Sequence, residues 1–562
     1  MKNPLLKSPF YVRHRRDVVY LLVIILLSYI FLFYALGDYS LKEPDEGRYA
    51  EIPREMVETG DYIVPHLNYV RYFEKPPLIY WAVAISYKLF GVSEWSFRFA
   101  NATFAFLTVL FLYFFARKWF SKKAALLSCL ILLSSLGFFS MARIVTTDMC
   151  FSFLLFASLL CFYDFYRNKR PVVLYIFYAL AGLATLAKGP AAVILLGVTI
   201  LIFIITEKKF SFLRELKWIK GMAIYGIIVL PWIIAISLRE KEFLYFFIID
   251  QHILRFATTQ HKRSGPFYYF LPVLIGGMFP WSIFIPRSII KLWQKRELRL
   301  FIIWSAVVFG FFSMSGSKLP PYILPVFPAF SLVLGSFFYE NRNNYAGRTR
   351  EIIIFVAIFA VFCLPVFLRI YQPFLEWLGT VSEDAPEIAA NLKFFSIGIS
   401  SLSATVLCMF CLKKFNRYST IFLILLGLSF SFVCMIMGFN INTIDRLKTS
   451  KELAIAANQR RGAFDYLVNY DVYEQTFLFY TKSRLVLANH MGELKMGSKY
   501  DDAKDYFISE ADFIQLLSSD KKVLFVTKEN KINRLQEMVP CKIETIQCQN
   551  DRCLYGNWDV NK

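Results

Sequence analysis

The sequence predicts a polytopic α-helical membrane protein with a small C-terminal α/β domain. Of its 562 residues 57% are hydrophobic, with 59 Phe and 32 Tyr, whereas a soluble domain has closer to half. Apolar runs of spanning length recur from residue 18 to about residue 437. After about residue 440 the composition becomes abruptly polar, which indicates a separate domain outside the membrane.

The net charge of +21 has a simple explanation in membrane topology. Basic residues cluster in the loops between apolar runs, as the positive-inside rule requires of cytoplasmic loops. A nucleic-acid partner is therefore not expected. Seven of the ten cysteines lie in apolar runs, where a thiol behaves as a small hydrophobic group.

Thirteen runs are predicted to span the membrane. The first, 18–36, follows a basic N-terminus and has no small-residue cleavage site after it, so we expect a retained helix rather than a signal peptide. The others lie at about 95–116, 124–141, 150–166, 172–187, 191–206, 221–238, 267–286, 298–313, 322–338, 352–370, 394–412 and 419–437.

The apolar stretch 76–90 is short and contains Lys88. If it does not span, all six strongly basic loops fall on the same side as the basic N-terminus, and if it spans they all lie outside. We therefore predict a helix at the outer membrane interface, attached to the loop that precedes it.

This topology gives a transmembrane domain over 1–438, with an outer loop and interfacial helices over 37–94, and an outer α/β domain over 439–562. The tail alternates polar helical stretches (473–482, 529–539) with β-like runs (485–488, 523–527). In an oxidising compartment its three cysteines, Cys541, Cys548 and Cys553, allow one disulfide and one thiol, but spacing does not pair them.

The first loop has the densest charge next to the membrane, where charge is costly and usually functional. Pro44 suits the first turn of a helix, which makes Asp45 and Glu46 first-turn residues. These acids either complement the helix dipole, or Asp45 serves as a general base in a polar cavity with Arg48 and Tyr49 beside it.

Two further outer segments carry acids. Glu74 and Lys75 precede two prolines and form either an interfacial anchor or a metal- or proton-binding Glu beside a phosphate-binding Lys. Asp148 lies in a short turn, where either it or Thr147 caps a helix, or it lines the same cavity as Asp45.

The remaining candidates are cations and one histidine. His252 lacks a neighbouring ligand motif, so any metal would need ligands from distant loops such as Glu74. Arg255, Lys318 and Tyr322 suit an anionic lipid headgroup. Lys188 either joins these cations or marks a turn.

Together these segments resemble the GT-C glycosyltransferases, and within them the lipid A aminoarabinose transferase branch, which is related to protein O-mannosyltransferases. The resemblance covers the first span to about residue 340, and the outer C-terminal domain in layout. It rests on the segments 39–56 (YSLKEPDEGRYAEIPREM), 73–81 (FEKPPLIYW), Thr147-Asp148, His252-x-x-Arg255-Phe256 and 318–325 (KLPPYILP).

The resemblance implies a multi-pass inner-membrane enzyme that takes a sugar from a polyprenyl (undecaprenyl) phosphate donor on the periplasmic face. Its acceptor would be lipid A or another envelope molecule, and membrane lipids would surround it. Asp45 would be the catalytic carboxylate, with Asp148 lining the same cavity. The implied substrate-binding residues are Arg48, Lys75, Arg255, Lys318 and Tyr322, and the implied ligands of a divalent metal, possibly Zn²⁺, are Glu74 and His252.

Two alternatives stay open. The same chemistry would serve a protein or another glycan as acceptor, because pocket shape sets the substrate. A flippase for the lipid-linked sugar would need polar residues through the bilayer middle and paired broken helices, whereas the charges here concentrate on one side.

Overall fold

The computed structural model describes residues 9–254, 265–341, 427 and 449–559. The described chain forms two compact units. One contains residues 9–36, 101–254, 265–341 and 427, and the other contains residues 37–100 and 449–559.

The first unit is helical. Its helices, including short 3₁₀ and π turns, are Pro9–Ser28, Tyr29–Phe33, Glu94–Trp119 (most of which lies in this unit), Lys122–Leu133, Leu136–Arg143, Thr147–Asn168, Pro171–Lys188, Ala191–Glu207, Phe212–Glu215, Trp218–Arg239, Phe243–Tyr245, Phe246–Leu254, Phe267–Tyr269, Phe270–Gly277, Ser282–Phe284, Ile285–Leu292, Arg296–Met314, Pro320–Ile323 and Val326–Glu340. Within the described residues, five helices are long and apolar enough to cross a membrane, and up to seven if each bent pair counts as one span.

The first ten predicted spans coincide with these helices or helix pairs. The last three, 352–370, 394–412 and 419–437, lie outside the described residues apart from position 427. The predicted span at 267–286 is a pair of helices bent by 116° rather than one straight helix. Pro280 lies in the break, where it lacks an N–H for a continuing helix. The span 124–141 is also bent, by 64°.

Helix Thr147–Asn168 forms the centre of this unit. Of the residues in its 18-residue apolar stretch, 89% are buried, which is the largest share among the spanning helices described. It packs against the neighbouring helices Pro171–Lys188 and Ala191–Glu207. Its first turn is therefore held rigidly, which fixes the position of Asp148.

The second unit combines the first loop with the tail. Its helices and turns are Asp45–Thr59, Leu78–Phe90, Lys451–Gln459, Gln475–Thr481, Gly492–Lys495, Gly497–Lys499, Asp501–Tyr506, Glu510–Leu517, Glu529–Lys531 and Ile532–Met538. Its strands are β1 (His66–Leu67), β2 (Val70–Arg71), β3 (Tyr466–Tyr470), β4 (Val486–Ala488), β5 (Phe507–Ile508), β6 (Val523–Lys528), β7 (Glu544–Gln549) and β8 (Arg552–Gly556).

The tail contains a six-stranded sheet in the order β5-β4-β3-β6-β8-β7. The strands from β5 to β6 are parallel, and β8 and β7 add an antiparallel edge. Helix Glu510–Leu517 packs its Phe513 against Tyr470 and Phe525 of the sheet. The α/β prediction for the tail is thus confirmed, including helices within 473–482 and 529–539 and strands at 485–488 and 523–527.

The first loop is built into this domain. Asn68 exchanges hydrogen bonds with the backbone of Leu485, at 2.9 and 2.7 Å. Gly47 lies so close to Thr476 that a Cβ there would come within 2.7 Å of the Thr476 backbone nitrogen. The compact units therefore divide the chain differently from the predicted domains, which assigned 37–94 to the membrane domain.

Two smaller expectations concern the tail cysteines and the stretch 76–90. Cys548 is bonded to Cys553, and Cys541 is a thiol, as the count of three allowed. Helix Leu78–Phe90 is present, and its place at the membrane interface stays a prediction.

Candidate active site

Asp45 and Glu46 lie in the first turn of helix Asp45–Thr59, as predicted, and Pro44 is the N-cap residue rather than a first-turn residue. The Asp45 carboxylate accepts from the Arg48 guanidinium three residues on, and the Asp45 side chain is 54% exposed. Arg48 is nearly buried and also donates to Glu493 of the tail. The guanidinium thus lies between two carboxylates, and it holds Asp45 in a position that solvent can reach.

Glu46 has a different role from its neighbour. It is buried and forms an ion pair with buried Arg98, whose Nε and Nη2 lie 3.0 and 2.7 Å from its oxygens. Arg98 also donates to the backbone carbonyls of Tyr39 and Ser40 at 2.7 and 2.8 Å. Glu46 therefore fixes the start of the loop, which leaves Asp45 as the acid available for chemistry.

Tyrosine rings surround Arg48. Its guanidinium carbon lies 5.3 Å from the ring centroid of Tyr49 and 5.9 Å from that of Tyr72. Tyr80 stacks on Tyr49 with centroids 5.9 Å apart. Burial, with the nearby charges of Glu74 and Glu493, raises the pKa of both Tyr72 and Tyr80 well above the usual range. Both hydroxyls therefore stay protonated and can donate.

Glu43 also connects the first loop to the tail. Its carboxylate accepts from the backbone N–H groups of Gln475 and Thr476, at the start of helix Gln475–Thr481. Burial, together with the charge of Glu474, raises the pKa of Glu43 to about 8. The helix start therefore contacts a carboxyl group that holds its proton at neutral pH.

The second group of candidates lies in the helical unit. Lys188 ends helix Pro171–Lys188 and donates to Asp148, and their side chains are 15% and 10% exposed. The Lys188 ammonium also lies 4.2 Å from the ring centroid of Tyr322. Lys188 thus joins Asp148 and Tyr322 rather than only marking a turn.

The alternative that Thr147 or Asp148 caps a helix is wrong, because a different residue forms the cap. The cap of helix Thr147–Asn168 is Thr146, whose hydroxyl oxygen accepts from the Asp148 backbone N–H at 3.3 Å. Thr146 has extended backbone dihedrals, as an N-cap residue requires. The Asp148 carboxylate is consequently not used for capping and pairs with Lys188.

Lys318 is buried, and its ammonium donates to the backbone carbonyl of Ser315 at 2.6 Å.

A groove of about 470 Å³ lies between helices Ala191–Glu207 and Arg296–Met314 of the helical unit. Its walls are apolar and include Ile194, Val198 and Phe311.

Several predicted residues are not tested. Arg255 lies outside the described residues, as does the side chain of His252, whose backbone belongs to the π-helix Phe246–Leu254. Glu74 and Lys75 lie between β2 and helix Leu78–Phe90, half-buried. Among the described residues no group of three His, Cys, Asp or Glu side chains is placed to hold a metal ion. The metal therefore stays a prediction.

Sequence reasoning missed the contribution of the tail to this site. Glu493 and Gln475 lie more than 400 positions from Arg48 and belong to no recognisable motif. Tyr72 and Tyr80 lie on either side of the Glu74-Lys75 motif. Two aromatic residues next to a charged motif were the only sequence signal that could have identified them as part of the site.

Comparison with known proteins assigns this arrangement to a class. Residues 74–234 match the family model described as dolichyl-phosphate-mannose-protein mannosyltransferase, and residues 454–551 match that of the aminoarabinose transferase C-terminal domain. The crystal structure of ArnT from Cupriavidus metallidurans bound to undecaprenyl phosphate has the same fold, with a TM-score of 0.83 at 24% identity, over 97% of this chain and 98% of that chain. The fold and the charged first loop define a GT-C membrane glycosyltransferase.

The relatives in sequence narrow this class to one family. The undecaprenyl phosphate-alpha-4-amino-4-deoxy-L-arabinose arabinosyl transferase of Yersinia enterocolitica (serotype O:8 / biotype 1B) is 30% identical over 515 residues, 86% of this chain and 89% of its own length. The protein of the same name from Serratia proteamaculans is 27% identical over 95% of this chain and 97% of its own length. The chain belongs to the family of undecaprenyl phosphate-aminoarabinose arabinosyl transferases.

Proposed function

We propose that this enzyme transfers 4-amino-4-deoxy-L-arabinose from undecaprenyl phosphate to lipid A. The observation that carries the proposal is the similarity to the Yersinia transferase, which extends over 86% of the chain. The family models match both parts of the chain, residues 74–234 and residues 454–551, and the second range includes Glu493, the partner of Arg48.

In the proposed reaction, an acceptor oxygen attacks the anomeric carbon of the donor sugar. The bond between that carbon and the phosphate oxygen breaks, and the lipid phosphate leaves with the electron pair. Asp45 accepts the proton of the acceptor, because its carboxylate is exposed and held by Arg48 at the start of its helix. Asp148 is the second carboxylate proposed for the reaction.

The leaving phosphate requires cations, since negative charge develops on it as the bond breaks. Lys75, Arg255 and Lys318 are proposed for this role, with the hydroxyl of Tyr322 as a further donor. The contact between the Lys188 ammonium and the Tyr322 ring supports Lys188 as a fourth cation. The apolar groove along helix Ala191–Glu207 offers a place for the prenyl chain, because no charged side chain lines it.

A divalent metal, with zinc as the first candidate, stays part of the proposal. A carboxylate from Glu74 and an imidazole from His252 are donors that zinc accepts. When bound, the ion would supply positive charge to the lipid phosphate. Metal analysis of the purified protein, before and after Glu74→Ala, tests this point, and a content well below one ion per chain would contradict it.

We also propose the orientation of the chain in the inner membrane, with a cytoplasmic N-terminus and a periplasmic tail. The asymmetric distribution of basic loops supports this orientation. The transfer would then take place on the periplasmic face.

The proposal is tested by deletion and complementation of the gene in its host. Mass spectrometry of lipid A should reveal an aminoarabinose substituent that disappears with the gene and returns with the wild-type copy but not with Asp45→Asn. If lipid A is unchanged and another envelope glycan or a protein loses a sugar, the acceptor is different. If purified protein in liposomes moves the lipid-linked sugar across the bilayer without forming a new glycosidic bond, a flippase is favoured instead.

A further inference from the structure

The apolar groove between helices Ala191–Glu207 and Arg296–Met314 runs along most of both helices. Its lining includes Ile194 near the start of the first helix and Ile202 near its end, and it reaches Met314, the last residue of the second. The second helix has 19 residues. A helix of that size is about 28 Å long, close to the thickness of the hydrocarbon layer of a bilayer. The groove therefore extends towards both surfaces of the membrane.

One end of the groove is formed by Trp293, which is 37% exposed. Arg299 holds this residue in place, since its Nε and Nη2 donate to the carbonyls of Trp293 and Gln294 at 3.1 and 3.4 Å and its guanidinium carbon lies 5.7 Å from the centroid of the indole. Tryptophan is enriched where a membrane meets water. The segment 287–299 contains five basic residues, so this end lies on the side of the basic loops.

A buried carboxylate gathers cations at this end of the groove. The side chain of Glu207 is 0% exposed, and its oxygens lie 2.7 Å from Nη1 of Arg299 and 3.2 Å from Nε of Arg296. The Tyr166 hydroxyl lies 3.4 Å from the same carboxylate. Arg299 thus uses all three of its nitrogens within the protein.

Arg296 is engaged differently from Arg299. Its side chain is 61% exposed, and among the described residues only its Nε has a partner. Its two terminal nitrogens are therefore available to a ligand at the membrane surface. A guanidinium with two such nitrogens suits a phosphate group, which it binds through two parallel N–H bonds.

The charge around Glu207 is positive. Lys208 and Lys209 follow it directly and are exposed, and the Lys209 ammonium lies 5.0 Å from the ring centroid of Tyr166. With Arg296 and Arg299 these lysines give four cations to one carboxylate, an excess of three positive charges. The neighbouring charges do not change this balance, because they form their own ion pairs, Lys295 with Glu340 and Glu297 with Arg167.

We propose that this end of the groove binds one anionic phospholipid, with its phosphate on Arg296 and one acyl chain along the groove beyond Trp293. In the orientation proposed above, the lipid belongs to the cytoplasmic leaflet. Basic pockets between membrane helices on that side are suited to anionic headgroups. The inference does not depend on the sugar or the acceptor of the enzyme. A prenyl chain would enter the groove from its opposite end, at Met314, four residues before Lys318.

Arg296 has a matched control on the same side of the membrane. Arg117 also lies at the end of a helix, is 40% exposed and pairs with one acid, Asp17. Its helix, Glu94–Trp119, contributes no residue to the groove lining. Arg117→Gln should therefore report any general effect of losing one cation from this surface.

Two glycines test the place of the acyl chain. Gly310 lines the groove, and a Cβ there would meet no atom within 4 Å. Gly310→Leu should therefore fill part of the groove without disturbing the helix, because leucine is the better helix former. Gly197 has the same open surroundings but is not part of the lining, which makes Gly197→Leu the matched control. Transfer is not the readout here, because the prenyl chain is proposed to use the same groove.

The experiment places the full-length protein in vesicles that contain equal amounts of phosphatidylglycerol and phosphatidylcholine with identical acyl chains. After mild detergent extraction, native mass spectrometry counts the lipids that each variant retains. The wild type, Arg117→Gln and Gly197→Leu should retain phosphatidylglycerol in preference to phosphatidylcholine. Arg296→Gln should reduce this preference by about tenfold, as expected for the loss of one hydrogen bond to a charged group. Gly310→Leu should reduce the retention of both lipids.

Each result decides one point. An unchanged preference in Arg296→Gln, or an equal loss in Arg117→Gln, overturns the headgroup site and leaves Arg296 a cation that contacts any headgroup nearby. Unchanged retention in Gly310→Leu, or an equal loss in Gly197→Leu, overturns the place of the acyl chain. Melting temperatures give an independent measure, because a ligand that binds only the folded state raises them. Phosphatidylglycerol should raise the melting temperature of the wild type more than that of Arg296→Gln, and equal increases would contradict the site.

Discussion

Asp45 and Glu46 are adjacent acids with opposite environments. Asp45 is 54% exposed and held by one arginine, whereas Glu46 is buried against Arg98. Exposed ion pairs contribute about 0–1 kcal/mol, but breaking a buried pair costs about 3–5 kcal/mol because it leaves a charge uncompensated. A substitution of Asp45 is thus expected to affect the reaction, and a substitution of Glu46 is expected to affect folding.

Asp45→Asn should abolish transfer while the melting temperature changes little, and Lys75→Ala should abolish transfer as well. Glu46→Gln should instead lower the melting temperature and the yield of folded protein. A transfer assay with purified full-length protein, combined with thermal unfolding, measures both quantities. Asp502→Asn, which breaks the exposed pair with Arg71, is the matched control and should retain transfer. Near-normal transfer by Asp45→Asn would contradict its role as the base.

The buried pair of Asp148 and Lys188 allows a double-mutant test. Asp148→Asn leaves the Lys188 ammonium without its carboxylate and should destabilise the protein by about 3–5 kcal/mol. The double variant Asp148→Asn/Lys188→Met removes both charges and should recover most of that stability. If the pair serves the reaction, transfer stays lost in the double variant. Normal transfer by the double variant would leave the pair a purely structural role.

At the scale of elements, helix Gln475–Thr481 depends on a carboxyl group from the first loop. Glu43 contacts the first N–H groups of this helix, and its pKa is raised by burial and by Glu474, which itself pairs with Arg552 and Ser450. A raised pKa means that the folded state holds a proton that the unfolded state releases above pH 4.5. The contribution of Glu43 to the free energy of unfolding is therefore fully present below pH 4.5 and is lost as the pH rises towards about 8.

Glu43→Gln keeps a neutral side chain with an acceptor oxygen and should remove this pH dependence. Because one pKa unit corresponds to about 1.4 kcal/mol, the wild type should lose a few kcal/mol between pH 5 and pH 8, and the variant should lose less. Melting temperatures of both proteins across this range measure the effect. Parallel curves for the two proteins would mean that Glu43 is ionised throughout.

Elements were predicted from sequence more completely than their contacts. Apolar run length locates the ten described spans, since the bilayer fixes how long such a run must be. The bend at 267–286 was missed because hydropathy does not report the direction of a chain, although Gly276, Gly277 and Pro280 are in the sequence. The Asp45–Arg48 contact was predictable from helical spacing, whereas Glu493 was not, because nothing local specifies a partner 445 residues away.

At the scale of the whole molecule, topology depends on the stretch 76–90. Its helix bonds to residues of the first loop: the indole of Trp81 donates to the Tyr62 carbonyl at 2.8 Å, and Tyr87 donates to Ala50 at 3.2 Å. A helix tied to a polar loop in this way is expected to stay on the side of that loop. The thirteen predicted spans then place the N-terminus and the tail on opposite sides.

Cysteine labelling in spheroplasts tests this arrangement. In a Cys541→Ser background, a cysteine in place of exposed Lys521 of the tail should react with a membrane-impermeant maleimide in intact spheroplasts. A cysteine in place of exposed Lys209, which follows helix Ala191–Glu207, should react only after permeabilisation. If 76–90 spans the membrane, every later segment changes sides, so the two positions would exchange their behaviour. That exchange would place the basic loops outside and remove the tail from the periplasmic face, where the proposed transfer requires it.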